Sequence, residues 1–225
     1  MKRQGPCGLD IYMEKEVGVA VHMKEYQYQQ QAFDGWSGAA CLSMVYEKHG
    51  ISISQAEIFK DMRKAKGEPM LVAEAVQHVR KHTKGALFAC AIKYRENRMG
   101  KLFSFVSENN VDMIMNHQQK DGGGTTYTLF TGAEGGMVYG LNPQTKDDFP
   151  IKTRMMRKLW KKHVNPNGLR VVGNIAILIT DDKKLINAMT RCVKCRTDVL
   201  YTKIGVGVVK FALCSDCDIM WKIQR

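Results

Sequence analysis

Four of the seven cysteines form two Cys-x-x-Cys pairs near the end of the sequence. They are Cys192, Cys195, Cys214 and Cys217. A Cys-x-x-Cys turn brings two thiolates onto one metal ion, and two such turns complete the tetrahedron of ligands that Zn²⁺ prefers. Because protein side chains fill all four positions, the spacing predicts one structural zinc ion and not a catalytic one.

The eighteen residues between the pairs, RTDVLYTKIGVGVVKFAL, are rich in β-forming residues and contain two glycines. This pattern predicts a hairpin that carries the two pairs toward each other, as in a zinc ribbon. Lys194 and Arg196 beside the first pair would offset part of the negative charge of four thiolates. A redox dithiol is the alternative, but a redox Cys-x-x-Cys needs no matched second pair.

A second group of residues that could take part in a reaction surrounds the turn GWSG. Ser37 lies in this turn, Gln31 precedes it by six residues, and an apolar segment follows. A nucleophile at the start of a helix is favoured in its anionic form by the helix dipole, and an upstream amide can donate to an oxyanion. In the simpler interpretation, Ser37 is only the N-cap of a helix and Gln31 is one of three adjacent glutamines.

The segment from Gln31 to Gly50, QAFDGWSGAACLSMVYEKHG, resembles the start of the papain-like cysteine peptidases that process double-glycine leader peptides in bacteriocin export. In that family a glutamine precedes the nucleophilic cysteine by six residues, and an A-C-L-x-M helix follows. The resemblance places Gln31 in the oxyanion hole and Ser37 at the nucleophile position. Serine has a much higher pKa than a thiol, so a site tuned for a thiolate and imidazolium pair would be impaired.

The family's second signature is a histidine that opens a strand, followed by a hairpin and an aspartate–proline pair. The segment TYTLFTG and the pair Asn142–Pro143 align with it. The resemblance therefore puts Thr126 at the histidine position and Asn142 at the orienting position, where an amide can also serve. His117 on the preceding strand is the nearest alternative base. The other histidines are expected to be exposed or to lie at helix ends: His22, His49, His78, His82 and His163.

The elements that must position these residues are mainly helices early in the sequence and strands later. Helices are predicted over 39–50, 54–67, 70–85, 98–110 and 152–163, and Ser54 and Glu57 form a capping box for the second of them. Strands are predicted over 86–94, 111–117, 125–131, 137–143 and 171–180. This order indicates an α+β fold with a largely antiparallel sheet. The resemblance implies the papain-like cysteine peptidase fold with a small C-terminal zinc ribbon.

The chain is long enough for one ordinary domain and a small module. We predict an N-terminal arm over 1–25, a peptidase-like domain over 26–182 and a zinc ribbon over 188–225. Cys41 and Cys90 lie in apolar segments, where a free cysteine usually serves as a small core residue.

The formal net charge is +12, and six basic residues lie between Lys152 and Lys162. Such a segment favours contact with nucleic acid, anionic membranes or acidic proteins, although a solvated surface is the simpler interpretation. No run of about 18 apolar residues could span a membrane, and no secretory signal opens the sequence. We therefore expect a soluble, cytoplasmic protein.

Three functions follow as hypotheses. The first is a peptidase-like protein with a degenerate or inactivated site that binds a peptide or protein segment in the cleft where a peptidase of this family would bind its substrate. The second is an active cysteine peptidase whose nucleophile is here replaced by Ser37, with His117 or another histidine as the base. The protein is an enzyme only if the natural residue is cysteine. The third is a nucleic-acid-associated protein that uses the basic segment and the zinc ribbon.

Overall fold

The computed structural model describes residues 24–62, 68–146, 149–164, 170–171, 173–186, 188–201, 208–209, 211–214, 216–217 and 219–223. Nearly all of the predicted arm over 1–25 lies outside these residues, and so does the predicted end of the second helix at Gly67.

Five of the six described α-helices begin within two residues of the predicted position, and the sixth has no predicted counterpart. They are α1 (Ser37–Lys48), α2 (Gln55–Asp61), α3 (Val72–His82), α4 (Met99–Glu108), α5 (Thr153–Leu159) and α6 (Lys183–Ile186). The predicted capping box of α2 is confirmed, because the Ser54 side chain accepts from the backbone of Glu57 and the Glu57 side chain accepts from the backbone of Ser54. Gly35 before α1 and Gly50 after it both have a positive φ, which glycine adopts at little cost.

Seven strands form one sheet in which every described pair is antiparallel. They are β1 (Phe88–Tyr94), β2 (Asp112–Gln118), β3 (Thr125–Glu134), β4 (Met137–Leu141), β5 (Ile151–Lys152), β8 (Ile175–Thr180) and β11 (Val208–Val209), in the order β11-β1-β8-β2-β3-β4-β5. The remaining strands are β6 (His163–Val164), β7 (Arg170–Val171), β9 (Ala188–Arg191), β10 (Asp198–Tyr201), β12 (Phe211–Cys214) and β13 (Ile219–Lys222).

Helices cover both faces of the sheet. On one face, α1 and α3 pack on alternate strand residues such as Ile114 and Leu129. On the other, α4 and α5 pack on the intervening residues, among them Met113 and Phe130. This alternation is the period of two expected for strands buried on both faces, and the predicted α+β class with an antiparallel sheet is confirmed. Cys41 and Cys90 are buried in the two cores, as predicted.

Several elements end earlier than predicted, among them α2 at Asp61, α3 at His82 and β4 at Leu141. The basic helix predicted over 152–163 ends at Leu159, because the Trp160 carbonyl accepts from the backbone of Asn174 and the Trp160 ring stacks on Tyr94. The strand predicted over 171–180 is interrupted at Asn174, whose φ of 64° is incompatible with an extended strand.

The prediction of one hairpin between the two Cys-x-x-Cys pairs is wrong for the described residues. Each pair belongs instead to its own hairpin: β9 pairs with β10 around the first, and β12, which ends at Cys214, pairs with β13 around the second. The strand β11 pairs with β1, so the sequence between the two cysteine pairs adds an edge strand to the large sheet. The domain boundaries at 182 and 188 stay a prediction.

No helix in the described part of the chain has both the length and the apolar character that a membrane crossing requires.

Candidate functional site

Ser37 is the first residue of α1 and is 4% exposed. Its Oγ accepts a hydrogen bond of 3.1 Å from the backbone N–H of Tyr127 on β3. The N-cap of α1 is Trp36, so the interpretation of Ser37 as the N-cap is wrong. The side chain of Ser37 therefore joins the start of α1 to β3, at the residue that follows Thr126.

Met70 covers this helix start. Its carbonyl accepts a hydrogen bond of 2.7 Å from the Tyr127 hydroxyl. Its side chain lies so close to Gly38 that a Cβ added there would be 2.3 Å from the Met70 Cε. Glycine at position 38 thus lets the segment before α3 close over the start of α1.

Thr126 and His117 are cross-strand partners in the β2–β3 pair. Residues directly opposite each other in an antiparallel pair share a face of the sheet. The His117 ring contacts Phe149, which packs with the core under α4, whereas α1 packs on the other face. His117 therefore lies one strand away from the position that the peptidase resemblance gives the catalytic histidine.

Hydrogen bonds hold the His117 ring in place. Its Nδ1 lies 2.7 Å from the carbonyl of Gln118, so this nitrogen carries a proton. Its Nε2 lies 2.9 Å from the Oγ1 of Thr128. Within the described residues, no histidine hydrogen-bonds to Ser37.

Gln31 and Asn142 are brought together by the backbone. The N–H of Gln31 donates to the carbonyl of Pro143 at 2.9 Å, and its Oε1 is buried without a hydrogen bond from any described residue. The Asn142 side chain accepts from the backbone N–H of Gln144 and donates to the Oγ1 of Thr145, both at 3.0 Å. The four aligned positions thus lie in two contacting groups, Ser37 with the Thr126–Tyr127 segment and Gln31 with the Asn142–Pro143 turn.

An open groove of about 700 Å³ lies beside Trp36. Phe33, which is 46% exposed, meets the Trp36 ring edge-on at 4.8 Å, and Trp36 stacks on Phe59 at 4.3 Å. Ile51 and Ile53 also line the groove. Its apolar walls are the kind of surface that receives apolar side chains of a peptide.

The predicted four-cysteine cluster is confirmed. The Sγ atoms of Cys192, Cys195, Cys214 and Cys217 all lie within 4.8 Å of one another. The separation of 3.6 Å between Cys195 and Cys214 agrees with the roughly 3.8 Å that a tetrahedral zinc site with Zn–S bonds of about 2.3 Å requires. Hydrogen bonds from Thr197 lower the pKa of Cys195 to about 6, whereas the hydrogen bond with Cys195 raises the pKa of Cys217 to about 12, so Cys195 forms a metal-ligating thiolate before Cys217 does. The donor set fits a structural zinc ion.

The prediction that the histidines are exposed or lie at helix ends is wrong for two of them, and one is His163, which is half-buried and opens β6. His78 lies inside α3 and is 4% exposed, because the α3 face that carries it packs on Tyr46 of α1. Burial lowers the pKa of His78 to about 4, so its ring is neutral near pH 7. His82 ends α3, and His49 follows α1 directly, as expected for helix-terminal residues. The sequence signal that could have singled out His78 and His82 is their spacing of four residues on one helix.

Comparison of the sequence with models of protein families and with curated proteins gives no match. Comparison with solved structures does. The chain is similar to a double glycine motif protease from an AMS/PCAT transporter, solved in complex with the leader peptide (TM-score 0.51, 15% identity, 72% of this chain and 96% of that one). It is also similar to the peptidase domain of Streptococcus ComA, a bifunctional ABC transporter involved in quorum sensing (TM-score 0.52, 14% identity, 69% and 98%).

A C39-like peptidase from Bacillus anthracis is similar over 70% of this chain and 98% of its own length, with a TM-score of 0.50 and 11% identity. Because the sequence identities are only 11% to 15%, these similarities establish the fold alone. The predicted papain-like fold of the double-glycine peptidases is confirmed.

Proposed function

We propose that this protein binds a peptide in the cleft of a papain-like peptidase fold and does not cleave it through a cysteine–histidine pair. One observation carries the proposal. The side chain at the nucleophile position, Ser37, is buried and accepts a hydrogen bond from a backbone N–H, that of Tyr127.

The chemistry at this position supports binding without cleavage. A serine becomes a nucleophile when an adjacent base takes its proton, and a neutral imidazole is the usual base. Thr126 cannot act as this base, and the hydrogen bonds of the His117 ring go to Gln118 and Thr128. Met70 also closes over the helix start, which limits the approach of a carbonyl to Ser37.

The groove beside Trp36 supports a peptide as the ligand, although none of the four positions aligned with the peptidases lines it. Phe33 presents a large apolar surface to solvent at the mouth of this groove, directly before the turn that carries Ser37. A protein of similar fold was solved with a leader peptide bound. A peptide with spaced apolar residues would place them against Phe33 and Trp36.

Fluorescence anisotropy with a labelled synthetic peptide that has spaced apolar residues and ends in Gly-Gly tests binding. We expect saturable binding that Phe33→Ala weakens by about tenfold, because an aromatic anchor commonly contributes more than 1 kcal/mol. Phe105→Ala, which removes a phenylalanine from the opposite side of the sheet, is the matched control. Peptide binding that is absent, or that is equally strong in Phe33→Ala, would contradict this part of the proposal.

The active peptidase is distinguished by chemistry at position 37. A Ser37→Cys variant is treated with iodoacetamide at mildly acidic pH, and the modified residue is identified by peptide mapping. We expect the introduced thiol to react no faster than an unactivated thiol. Rapid labelling confined to Cys at position 37, together with cleavage of the Gly-Gly peptide, would instead support a peptidase in which serine replaces the catalytic cysteine.

A second candidate function rests on the basic segment around α5. All six of its basic side chains are exposed: Lys152, Arg154, Arg157, Lys158, Lys161 and Lys162. Nucleic-acid binding through this surface would weaken steeply with salt. Combining Arg154→Gln with Arg157→Gln would reduce the slope of the logarithm of the binding constant against the logarithm of the salt concentration by about 2. Lys101→Gln, at an exposed lysine of α4, is the control. Binding that is insensitive to both salt and these substitutions would exclude this surface.

A further inference from the structure

Three side chains outside the peptidase-like site and the four-cysteine cluster converge at the junction of α2 and α3. Asp61 is the last residue of α2, while His78 and His82 lie four residues apart on α3. That spacing places both rings on one face of the helix, where they stack with their centroids 4.2 Å apart. The Asp61 carboxylate lies across from both rings.

The separations of the three polar atoms match those of metal ligands. The Asp61 Oδ2 lies 3.7 Å from the Nε2 of His78 and 3.3 Å from the Nε2 of His82. The longer distance exceeds that of a hydrogen bond. A tetrahedral ion with bonds of about 2.0 to 2.1 Å holds its ligand atoms roughly 3.3 Å apart. All three atoms lie within 4.8 Å of one another.

The Nε2 of His78 provides a second, independent observation. His78 is buried, yet among the described residues no group makes a hydrogen bond to this nitrogen. Leaving a buried polar atom without a partner costs free energy, so such an atom commonly has a ligand, ion or water to face. The nitrogen is aimed at the Asp61 carboxylate and not at an apolar wall.

The other nitrogen of the same ring is held as a metal-binding histidine requires. The Nδ1 of His78 lies 2.7 Å from the hydroxyl of Tyr46, which is fully buried. When Nδ1 donates its proton to this hydroxyl oxygen, the lone pair of Nε2 is free to ligate. Such outer partners orient metal-binding histidines and fix their tautomer.

Space for further ligands is available beside the cluster. An open cavity of about 600 Å³ is lined by the three side chains and also by Gln77, Asp216 and Cys217. The cluster therefore leaves one side accessible to water, unlike the four-cysteine cluster, whose ligands are all from the protein.

We propose that Asp61, His78 and His82 form a second metal site that takes a divalent first-row transition ion, Zn²⁺ in particular. Two imidazole nitrogens and one carboxylate oxygen suit zinc and its neighbours and are poor ligands for Ca²⁺ or Mg²⁺, which select oxygen. Two histidines four residues apart on one helix are an established zinc-binding arrangement in proteins. Water from the cavity completes the coordination.

Equilibrium dialysis of the full-length protein against buffered Zn²⁺, with bound metal counted by mass spectrometry, tests the proposal. We expect about two ions per chain, one in each cluster. Asp61→Asn and His82→Gln alter partly exposed side chains, and each should reduce the count to about one while the circular dichroism spectrum is unchanged. His163→Gln, at a histidine outside the cluster, should still bind about two.

Two further measurements separate this site from the cysteines. With Co²⁺ as the probe, the absorption due to sulfur-to-metal charge transfer should be identical in the wild type and in His82→Gln, because the lost ion has no sulfur ligand. Tyr46→Phe should weaken the second ion by about 10- to 100-fold, the effect of losing the partner of a metal-binding histidine. A wild-type count of about one ion, unchanged by Asp61→Asn and His82→Gln, would show that the three side chains form only an ion-paired cluster.

Discussion

His117 on β2 lies directly opposite Thr126 on β3, and the two side chains share one face of the sheet. His117 is thus displaced by one strand from Thr126, the position at which the resemblance to the double-glycine peptidases places the base. The backbone N–H of the next residue, Tyr127, contacts Ser37. An imidazole placed at position 126 would therefore lie on the same face of the sheet as His117, the face on which α4 packs, and would point away from Ser37 on α1.

This relationship predicts that a histidine at position 126 does not rebuild the catalytic pair. In a Ser37→Cys background, Thr126→His should leave the rate of alkylation by iodoacetamide near pH 6 within about twofold, because an imidazolium lowers the pKa of a thiol only when the two groups are neighbours. The rates are measured by intact mass. His117→Gln in the same Ser37→Cys background should leave the rate unchanged. If His117→Gln slows the reaction, His117 is the activating base and the active-peptidase hypothesis gains its mechanism.

Asp112 is expected to be the carboxylate on which the fold depends most. It is fully buried, and its oxygens accept from Tyr26 at 2.5 Å, Lys48 at 2.6 Å and His49 at 2.7 Å. Asp112→Asn leaves Lys48 without its counter-charge and should lower the free energy of unfolding by about 3 kcal/mol in urea denaturation. Asp34→Asn, at an exposed carboxylate, should change it by less than about 0.5 kcal/mol.

The same carboxylate should make stability depend on pH. Burial alone raises the pKa of Asp112, but hydrogen bonds from His49, Lys48 and Tyr26 outweigh burial and hold the pKa below 3.8. At pH values between the lowered pKa of the folded protein and the ordinary pKa of 3.8, the unfolded chain binds the proton more readily than the folded protein does. Stability therefore falls as the pH falls through this range. In this pH range the free energy of unfolding should fall less steeply with decreasing pH in Asp112→Asn than in the wild type. Equal pH dependence in the two proteins would contradict the role assigned to Asp112.

Zinc should protect the four clustered thiols from modification. In the described part of the ribbon, the apolar cluster contains few fully buried side chains, so its local fold should depend on the metal. In zinc-loaded protein a thiol reagent should react slowly with these cysteines, and chelation should expose four more thiols. Cys217→Ser should lose this protection without a chelator. Equal thiol reactivity before and after chelation would argue against a zinc ribbon.

Two glycines should respond in opposite directions to alanine. A Cβ at Gly173 would lie 2.1 Å from the backbone nitrogen of Lys162, so Gly173→Ala should destabilise the protein by about 1 to 3 kcal/mol. Gly100 lies in α4 with nothing within 4 Å of an added Cβ, and Gly100→Ala should stabilise the protein by about 0.5 to 1 kcal/mol. Thermal unfolding measures both changes, and a loss of stability in both variants would contradict the packing described at Gly100.

Elements whose signals are local could be predicted from the sequence. Ser54 and Glu57 lie three residues apart, and their reciprocal hydrogen bonds need no other part of the chain. The Cys-x-x-Cys pairs likewise bring two thiolates together within one turn, and the period of the apolar residues predicts most helices and strands. The hairpins around these pairs were missed, because strand pairing depends on which segments meet in space.

The amino-acid sequence by itself determined the α+β order, the capped second helix, the cysteine cluster and the positions that resemble a peptidase, because these depend on residues close together in the chain. Only the tertiary structure decided that Tyr127 holds Ser37, that Asp112 is buried against Lys48, and that Asp61 meets two histidines of α3. The physical reason is that burial and hydrogen bonding at these residues depend on how distant helices and strands pack, and packing leaves little signal in the local pattern of residues.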